Sequence, residues 1–535
     1  MQTRDELFPE SFPQPDDQPH DPAAGSRRDF LRNAGLLGAA ALLPGGLGAA
    51  GTAMAAQAPS DIVMADAVAL SAWIKARKVS CREVMSAFLD HIERINPKVN
   101  ALVSLQERDG LLRQADERDA QLARGEYLGW MHGMPQAPKD LTATAGIPTT
   151  QGSPLFKDYV PRQDSIIVER VRRQGAILIG KSNTPEFGLG SATYNTVFGT
   201  TLNAYDPSRH AGGSSGGAAV ALAARMLPVA DGSDMMGSLR NPAAWNNVFG
   251  FRPSQGRVPF GPTGEVFFQQ LGYEGPMGRT VRDLAMLLSV QAGHDARVPM
   301  SSSEDPAVFA GSLQRDFRGT RIGWLGDFRG YLPMEAGVLE LCRQGLKGFE
   351  AVGCTVEEAM PEYPMEQLWQ TWLTLRHWLV AGLATPLYND PAKRALLKPE
   401  AVWEIEGGLN LTGADVWRAT VQRSKWYEAL RKLFERYDYL VLPSAQVFPF
   451  DAGQHWPAEI AGRRMDTYHR WMEVVTGGTL AGLPILNVPV GFNAQGLPMG
   501  VQLMGKAQAD LAVLQLGHAY EQATGWVQAR RPALL

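Results

Sequence analysis

Residues 211–226, AGGSSGGAAVALAARM, join a run of glycine and serine to a run of small apolar residues. The second run, over residues 218–226, predicts a short helix. The first run matches G-x-S-x-G, which is typical of α/β-hydrolases, where a serine lies on a turn between a strand and a helix. The preceding residues 207–211, PSRHA, do not have the composition of a buried strand. An esterase of this type, with Ser214 or Ser215 as nucleophile and a distant histidine as base, is therefore an alternative and not the favoured interpretation.

A second pattern lies upstream, where residues 175–182, GAILIGKS, match the phosphate-binding loop G-x-x-x-x-G-K-[ST]. Such a loop needs a flexible backbone between its glycines, but residues 176–179 are apolar and favour a buried strand. The residues before Gly175 have the pattern of a helix end, with that glycine as its cap. Lys181 then follows a strand instead of opening a helix, so nucleotide binding is disfavoured.

Three segments taken together resemble the amidase signature family: residues 132–140 (HGMPQAPKD), 212–217 (GGSSGG) and 231–240 (DGSDMMGSLR). Further segments similar to the family follow in its order: 144–150 (TAGIPTT), 183–188 (NTPEFG), 250–254 (GFRPS), 483–484 (LP), 488–491 (VPVG), 496–498 (GLP) and 500–502 (GVQ). The similarity extends from about residue 65 to the C-terminus. It implies an enzyme that hydrolyses a carboxamide C–N bond to an acid and an amine or ammonia.

The resemblance implies a Ser–Ser–Lys catalytic triad, with Ser238 as nucleophile, Ser214 as bridging serine and Lys139 as base. In the family the bridging serine follows a cis peptide bond, here the bond from Gly213. A serine hydroxyl attacks only when a base takes its proton, and a lysine can serve when burial keeps its amine neutral. Asp140 would favour the charged amine if it lay close, so we expect its carboxylate to face elsewhere. The rate should then rise towards alkaline pH, and the intermediate should be an acyl-enzyme on the nucleophilic serine.

The tetrahedral intermediate carries an oxyanion, for which backbone amides are natural donors. We predict that these donors are Met235, Met236, Gly237 and Ser238. The resemblance also implies supporting roles for Ser215, Asp234 and Arg240. Most family members have glycine where this chain has Met236, so we expect an ordinary backbone there with the thioether facing the pocket. A family member that hydrolyses nylon oligomers has a small non-glycine residue at this place, and the C-terminal residues 526–527 (WV) and 530–532 (RRP) are similar to it.

The resemblance implies an α/β fold, layered α/β/α, with a mixed central sheet and a helical cover. The hydrophobic pattern predicts buried strands over residues 320–325 and 437–442 and helices over residues 80–97 and 106–124. Residues 335–435 predict the helical cover beside the site, within a single amidase domain over residues 59–535. Four tryptophans of the cover are expected mostly in the core, with one or two lining the substrate pocket: Trp369, Trp372, Trp378 and Trp403.

Residues 1–58 have the pattern of a twin-arginine export signal, with SRRDFLR at residues 26–32 and AQA at residues 56–58 as a cleavage site. The apolar stretch between them is interrupted by Pro44 and several glycines, so stable membrane insertion after cleavage is not expected. An uncleaved anchor is the alternative. The sequence thus predicts a periplasmic or secreted enzyme, which disfavours an amidotransferase subunit that works in the cytoplasm.

The composition of the 535 residues, 45% hydrophobic and 20% charged with a net charge of −4, is that of a globular protein and favours neither nucleic acid nor an acidic membrane as partner. The three cysteines and nine histidines show no metal-binding spacing. We therefore expect a small-molecule amide as the partner and neither metal nor organic cofactor. A homo-oligomer stays open, as does a non-catalytic exported binding protein with the same fold.

Overall fold

The structure is a computed structural model that describes residues 59–268 and 270–535. The export signal predicted for residues 1–58 lies outside the described residues. At the centre is a mixed sheet of eight strands. In chain order they are β1 (Ala230–Asp234), β2 (Phe249–Arg252), β3 (Tyr273–Gly278), β4 (Arg321–Trp324), β5 (Thr355–Glu358), β6 (Tyr439–Pro443), β7 (Ile485–Phe492) and β8 (Pro498–Met504).

The strands follow one another across the sheet in the order β5-β4-β6-β8-β7-β2-β3-β1. β4 runs parallel to β5 and β6, and the other neighbouring pairs are antiparallel. In the middle of the sheet Ile485 of β7 lies opposite Met504 of β8. At one edge β1 ends at Asp234, opposite Tyr273 of β3. The loop that follows β1, residues 235–240, therefore lies at the edge of the sheet.

Helices pack on both faces of this sheet. In the described residues they are α1 (Pro59–Met64), α2 (Ala67–Lys75), α3 (Cys81–Val99), α4 (Arg108–Ala123), α5 (Ile166–Arg173), α6 (Gly216–Ala223), α7 (Asn241–Trp245), α8 (Val281–Gln291), α9 (Val338–Ala351), α10 (Met365–Asn389), α11 (Pro391–Arg394), α12 (Pro399–Leu409), α13 (Gly413–Leu433), α14 (Thr476–Ala481), α15 (Asp510–Thr524) and α16 (Trp526–Ala529). Four 3₁₀ helices join them: Pro154–Phe156, Glu186–Gly188, Pro306–Ala310 and Arg470–Val475.

Two close contacts show that the helices form separate layers. A Cβ on Gly517 of α15 would lie 2.2 Å from Leu486 Cδ2, and a Cβ on Gly478 of α14 would lie 2.3 Å from Ile485 Cδ1. Because adjacent residues of a strand point to opposite faces of the sheet, α15 and α14 lie on opposite faces. The predicted layered α/β/α fold with a mixed central sheet is confirmed.

Most of the elements predicted from periodicity are present. α3 begins after a capping box in which Ser80 Oγ accepts from the Glu83 N–H and the Glu83 carboxylate accepts from the Ser80 N–H. α4, β4 and β6 lie within the ranges predicted for them or within one residue of those ranges. Buried side chains along α3 pack with those of α6 in a second hydrophobic cluster beside the sheet.

The segment predicted as a helical cover, residues 335–435, contains a strand. β5 pairs in parallel with β4 and forms an edge of the central sheet, and α9 packs on the sheet, with Gly345 against Val490. The ends of β5 are exposed, so this edge strand has no apolar run that would distinguish it among helical patterns. The cover proper consists of α10–α13.

Four pairs of two-residue strands hold the loops around the sheet: Leu102–Val103 with Lys181–Ser182, Pro135–Gln136 with Ile177–Leu178, Tyr194–Asn195 with Gly199–Thr200, and Glu459–Ile460 with Arg463–Arg464. Residues 135–139 run beside residues 177–182 and end in a bridge between Lys139 and Ser182. None of the helices in the described ranges has the length and apolar character that crossing a bilayer requires.

Candidate active site

A turn of close backbone contacts carries Ser214 and Ser215. The Gly213–Ser214 peptide bond is cis, as the family resemblance implied. α6 begins directly after the second serine, and a Cβ on Gly217 would lie 2.3 Å from the backbone nitrogen of Asn183. Glycine is therefore required where α6 packs against the backbone of Asn183. Both serine side chains are buried here.

Lys139 brings its amine to these two serines. Its backbone N–H donates to the carboxylate of Asp231 on β1 at 3.0 Å, which fixes the residue against the sheet edge. Its Nζ lies 2.7 Å from Ser214 Oγ, 2.9 Å from Ser215 Oγ and 3.0 Å from Ser233 Oγ. The side chain has no exposed surface. Three hydroxyl groups thus surround one fully buried amine.

This environment favours the neutral amine. Burial lowers the pKa of Lys139 from its ordinary value to about 7, although the charges of Asp234, Asp231 and Glu274 act in the opposite direction. Among the described residues, no carboxylate lies within hydrogen-bonding distance of its Nζ. Asp140 faces elsewhere, as expected, and accepts from the N–H of Thr150 at 2.9 Å.

Four oxygens surround Nζ, the three hydroxyls and the Ser233 carbonyl oxygen at 3.5 Å, and the neutral amine meets them with two N–H groups and one lone pair. The Ser215 hydroxyl donates to the Ser233 carbonyl oxygen at 3.3 Å, so its own oxygen accepts from Lys139. The Ser233 hydroxyl is a second acceptor. When the amine is neutral and donates to these two oxygens, its lone pair is left for the proton of Ser214, which is the arrangement a general base requires.

The loop after β1 is held by the buried carboxylate of Asp234. It accepts from the N–H groups of Gly237 at 3.0 Å and Leu239 at 3.1 Å, and from two nitrogens of Arg240 at 2.9 and 2.8 Å. Burial alone would raise the pKa of Asp234, but the charges and hydrogen bonds of Arg240, together with Arg252, hold it far below its usual range. An anchored ion pair therefore fixes the loop that carries Ser238.

One predicted oxyanion donor differs from expectation. The Gly237 N–H already donates to Asp234, so it is not available to an oxyanion in this geometry. The amides of Met235, Met236 and Ser238 have no acceptor within the described part of the chain, and they remain the candidate donors. Sequence reasoning placed four amides in one row but could not show which of them the neighbouring carboxylate engages.

Ser238 is 5% exposed and lines the same cavity as Ser214. The hydrogen bonds among the described residues link Lys139 to Ser214 but include none between Ser214 and Ser238. A relay to the second serine therefore requires the Ser238 hydroxyl to turn towards Ser214, and catalytic hydrogen bonds often tighten only when substrate binds.

Replacing Gly237 by alanine should distort this loop. Gly237 has φ +80°, and an added Cβ would lie 2.9 Å from Val475 Cγ2. We expect Gly237→Ala to lower the free energy of unfolding by about 1–3 kcal/mol and kcat by roughly tenfold or more. Chemical denaturation and steady-state kinetics measure both. The matched control is Gly413→Ala, where the φ is ordinary and no atom beyond its chain neighbours and its own helix turn lies within 4 Å of the added Cβ. Equal effects in both variants would contradict the role given to Gly237.

Beside the serines is a cavity of about 580 Å³ between the loops and the helical cover. Its wall is mainly apolar and includes Leu141, Phe156, Phe187, Met235, Met236, Phe260, Tyr273, Trp378, Leu379 and Leu383. Met236 lies there with no positive φ, as expected. Trp369 and Trp372 are fully buried in the core, while Trp378 lines the cavity. The cavity can take an apolar group next to Ser214 and Ser238.

The two alternative motifs do not form the sites that they would require. Lys181 lies in a short strand, fully buried, and its Nζ donates to the carbonyl oxygen of Thr142 and the hydroxyl of Thr144. It therefore does not face a phosphate site. Within the described residues no histidine forms a hydrogen bond to Ser214 or Ser215, whose common partner is a lysine.

Sequence analysis missed several groups at the site. Ser233 adds the third hydroxyl on Lys139, and Asp231 fixes the lysine backbone. The DGSD run at residues 231–234 could have indicated both, because residues two apart on a strand point to the same face. Arg376 of the cover also lines the cavity, and nothing in the sequence pattern places it there.

The described residues contain no cluster of three histidine, cysteine or carboxylate side chains that could hold a metal ion. The three cysteines, Cys81, Cys342 and Cys354, are buried and unpaired. Burial raises the pKa of Cys354 to about 12, and the pKa values of the other two thiols are also raised by burial. They are packed thiols without nucleophilic character.

Comparison with known proteins bears on this geometry. The family model described as Amidase matches residues 83–514. An acylamidase of Rhodococcus erythropolis is 32% identical over 473 residues, which cover 87% of this chain and 97% of that protein. The crystal structure of a bacterial aryl acylamidase of the amidase signature enzymes has 30% identity and a TM-score of 0.81, covering 88% of this chain and 99% of its own. The structure of 6-aminohexanoate cyclic dimer hydrolase in complex with substrate, at 24% identity, has a TM-score of 0.78 with the same coverage and so shares the fold.

Proposed function

Because this chain belongs to the amidase signature family and is therefore an enzyme that hydrolyses amide C–N bonds, we propose that it does so through an acyl-enzyme on Ser238. The observation that carries the proposal is the 2.7 Å contact between Lys139 Nζ and Ser214 Oγ in a fully buried site. A lysine in this environment is a base near neutral pH and not a fixed cation. Lys139 thus supplies the base that must take the proton of the serine hydroxyl, a role that histidine has in many other serine hydrolases.

In the first half of the reaction, Ser238 Oγ attacks the carbonyl carbon of the amide. Its proton passes to Ser214, whose own proton passes to Lys139 Nζ. The oxyanion is stabilised by the backbone amides of Met235, Met236 or Ser238, each worth about 2.7–4 kcal/mol where it acts. The proton then returns through Ser214 to the leaving nitrogen, the C–N bond breaks, and the amine or ammonia departs.

In the second half, water replaces the amine. It attacks the acyl carbon and gives up a proton through Ser214 to Lys139. Lys139 then returns a proton through Ser214 to Ser238 Oγ, which leaves the acyl carbon. The products are a carboxylic acid and the free enzyme. Each proton that moves passes through Ser214 and Lys139, between Ser238 or water on one side and the leaving nitrogen or Ser238 on the other.

The substrate we propose is an amide with an apolar group, aromatic or aliphatic, next to the scissile bond. The apolar wall of the 580 Å³ cavity supports this choice. The names of two relatives, an acylamidase and an aryl acylamidase, point in the same direction. Phe187 and Trp378 line the cavity, and aromatic side chains pack well against such a group.

A fluorophosphonate serine probe together with an amide panel tests this function. The panel runs from acetamide through acyl anilides to cyclic oligoamides. We expect the probe to label Ser238, the labelling to block turnover, and acyl anilides to be hydrolysed better than acetamide. An intact chain that is not labelled and hydrolyses nothing in the panel would favour the non-catalytic binding protein instead.

The pH dependence of kcat/KM should follow the lysine. Since the pKa of Lys139 is lowered to about 7, the amine is mostly protonated below that pH and mostly neutral above it. The rate with an acyl anilide should therefore rise about tenfold per pH unit below pH 7 and level off above it. Steady-state kinetics from pH 5 to 9.5 measure the profile. A rate that is flat from pH 6 to 9 would contradict a titrating base.

Export by the twin-arginine route is also part of the proposal, supported by residues 26–32 and 56–58 of the sequence. Such transport carries folded proteins, so the enzyme would already be folded when it leaves the cytoplasm. The mature chain would begin at Pro59.

A further inference from the structure

A guanidinium group lies in the apolar wall of the cavity. Arg376 of α10 is 3% exposed and lines the cavity together with Met235. Its Nε donates to Glu404 Oε1 and its Nη2 donates to Tyr468 Oη at 2.7 Å. Within the described residues, the acceptor for its Nη1 is the thioether sulfur of Met235 at 3.4 Å. One charged nitrogen at the cavity therefore has only a weak acceptor.

The surrounding groups hold this guanidinium in place. Tyr468 Oη accepts from Arg376 and donates to Glu404 Oε1 at 2.6 Å, which closes a ring of three hydrogen-bonded side chains. The guanidinium carbon also lies 5.5 Å from the ring centre of Trp372. Since Nε and Nη2 are both engaged, the side chain is fixed with Nη1 against Met235, at the start of the loop that carries Ser238.

The charge balance selects the kind of group that Nη1 would bind. Glu404 already pairs with the guanidinium and offsets its charge, and the second carboxylate oxygen of Glu404 lies 2.9 Å from Nδ1 of His377. Burial keeps Tyr468 and His469 in their neutral forms. A carboxylate entering the cavity would have to lose its water without an unpaired cation to meet it. A neutral oxygen gives up little hydration and still gains a charge-assisted hydrogen bond.

We propose that Arg376 Nη1 binds a neutral acceptor oxygen of the substrate, a ketone, ester or second amide carbonyl, that lies away from the scissile bond. The inference rests on the proposed function, since it concerns the substrate of the same site. It makes Arg376 a specificity-determining residue, which recognises substrates with a second carbonyl group in an otherwise apolar body.

Paired substrates test this role. One series consists of acyl 4-nitroanilides in which successive chain methylenes are replaced by a ketone, each compared with its all-methylene twin. The other consists of acetanilides with an acetyl or an isopropenyl group on the ring. For at least one pair, we expect the kcat/KM ratio of carbonyl substrate to twin to fall roughly tenfold or more in Arg376→Met, mainly through KM. Because the ratio compares two substrates on one enzyme sample, it does not change with the fraction of folded enzyme.

Two further variants complete the test. Arg376→Lys keeps a positive charge beside Glu404 but replaces the forked guanidinium by a single amine. If the methionine variant does not fold, the lysine variant is expected to show the same loss of the kcat/KM ratio. Arg257→Met removes an equally buried, ion-paired arginine outside the cavity and should leave every ratio as in the wild type. The inference would be overturned if both Arg376 variants still hydrolysed anilides and their ratios equalled those of the wild type. If the proposed function itself is wrong, the wild type hydrolyses no anilide through Ser238.

Discussion

Replacing Ser238 by alanine is expected to lower kcat/KM for an acyl anilide by about four to six orders of magnitude. The hydroxyl is the atom that bonds to the acyl carbon, so no neighbouring group can take over its step. What remains should be the activity given by the oxyanion donors and substrate binding alone. Steady-state kinetics measure the loss, and mass spectrometry should find no acyl or fluorophosphonate adduct on the variant.

The control for this change is Ser191→Ala, which removes a hydroxyl from the wall of the same cavity; within the described residues this hydroxyl makes no hydrogen bond to Lys139. We expect it to keep activity within about tenfold of the wild type. Both variants should unfold at similar denaturant concentrations, because each removes one oxygen from a small side chain. Full activity in Ser238→Ala would transfer the nucleophile to another residue, with Ser214 or Ser215 as the first candidates.

Replacing Lys139 by methionine is expected to cost a similar factor, at least about 10⁴ in kcat. The apolar side chain fills the space without a lone pair, so Ser214 has no base to receive its proton. The residual rate should lose the rise around pH 7, since the group that titrates there is gone. The double variant with Ser238→Ala should be no slower than either single variant, because the two residues act in one step.

Lys181→Met provides the matched control. Lys181 is as buried as Lys139, and burial lowers its pKa to about 8, but its amine donates to Thr142 and Thr144 and contacts no serine. We expect that variant to lose stability and to keep most of its kcat. If both lysine variants lost activity equally while remaining folded, the special role of Lys139 would be contradicted.

The sequence located the residues of the site better than it described their contacts. Lys139, Ser214 and Ser238 each lie in a short sequence motif that its glycines or prolines make recognisable. The engagement of the Gly237 amide by Asp234 depends on the direction of one side chain, which no spacing reveals. Arg376 and Glu404 are on different helices and meet only when α10 packs on α12.

For the fold, too, the sequence predicts some elements well and misses others. Buried strands such as β6 and long helices such as α3 have strong periodicity and lie near their predicted bounds. β5 was missed because its pairing with β4 is a long-range contact and its ends are exposed. Local pattern thus predicts elements that bury one face completely, while an edge strand takes its structure from a neighbour.

The measurement that tests the account most directly is the pKa of Lys139 itself. In enzyme labelled with ¹³C-lysine, the Cε signal that disappears in Lys139→Met identifies the residue, and its chemical shift is followed from pH 5 to 10.5. We predict a midpoint near pH 7, set by burial among three hydroxyl groups. A signal that remains that of a charged ammonium up to about pH 10 would contradict the proposal that a neutral lysine is the base.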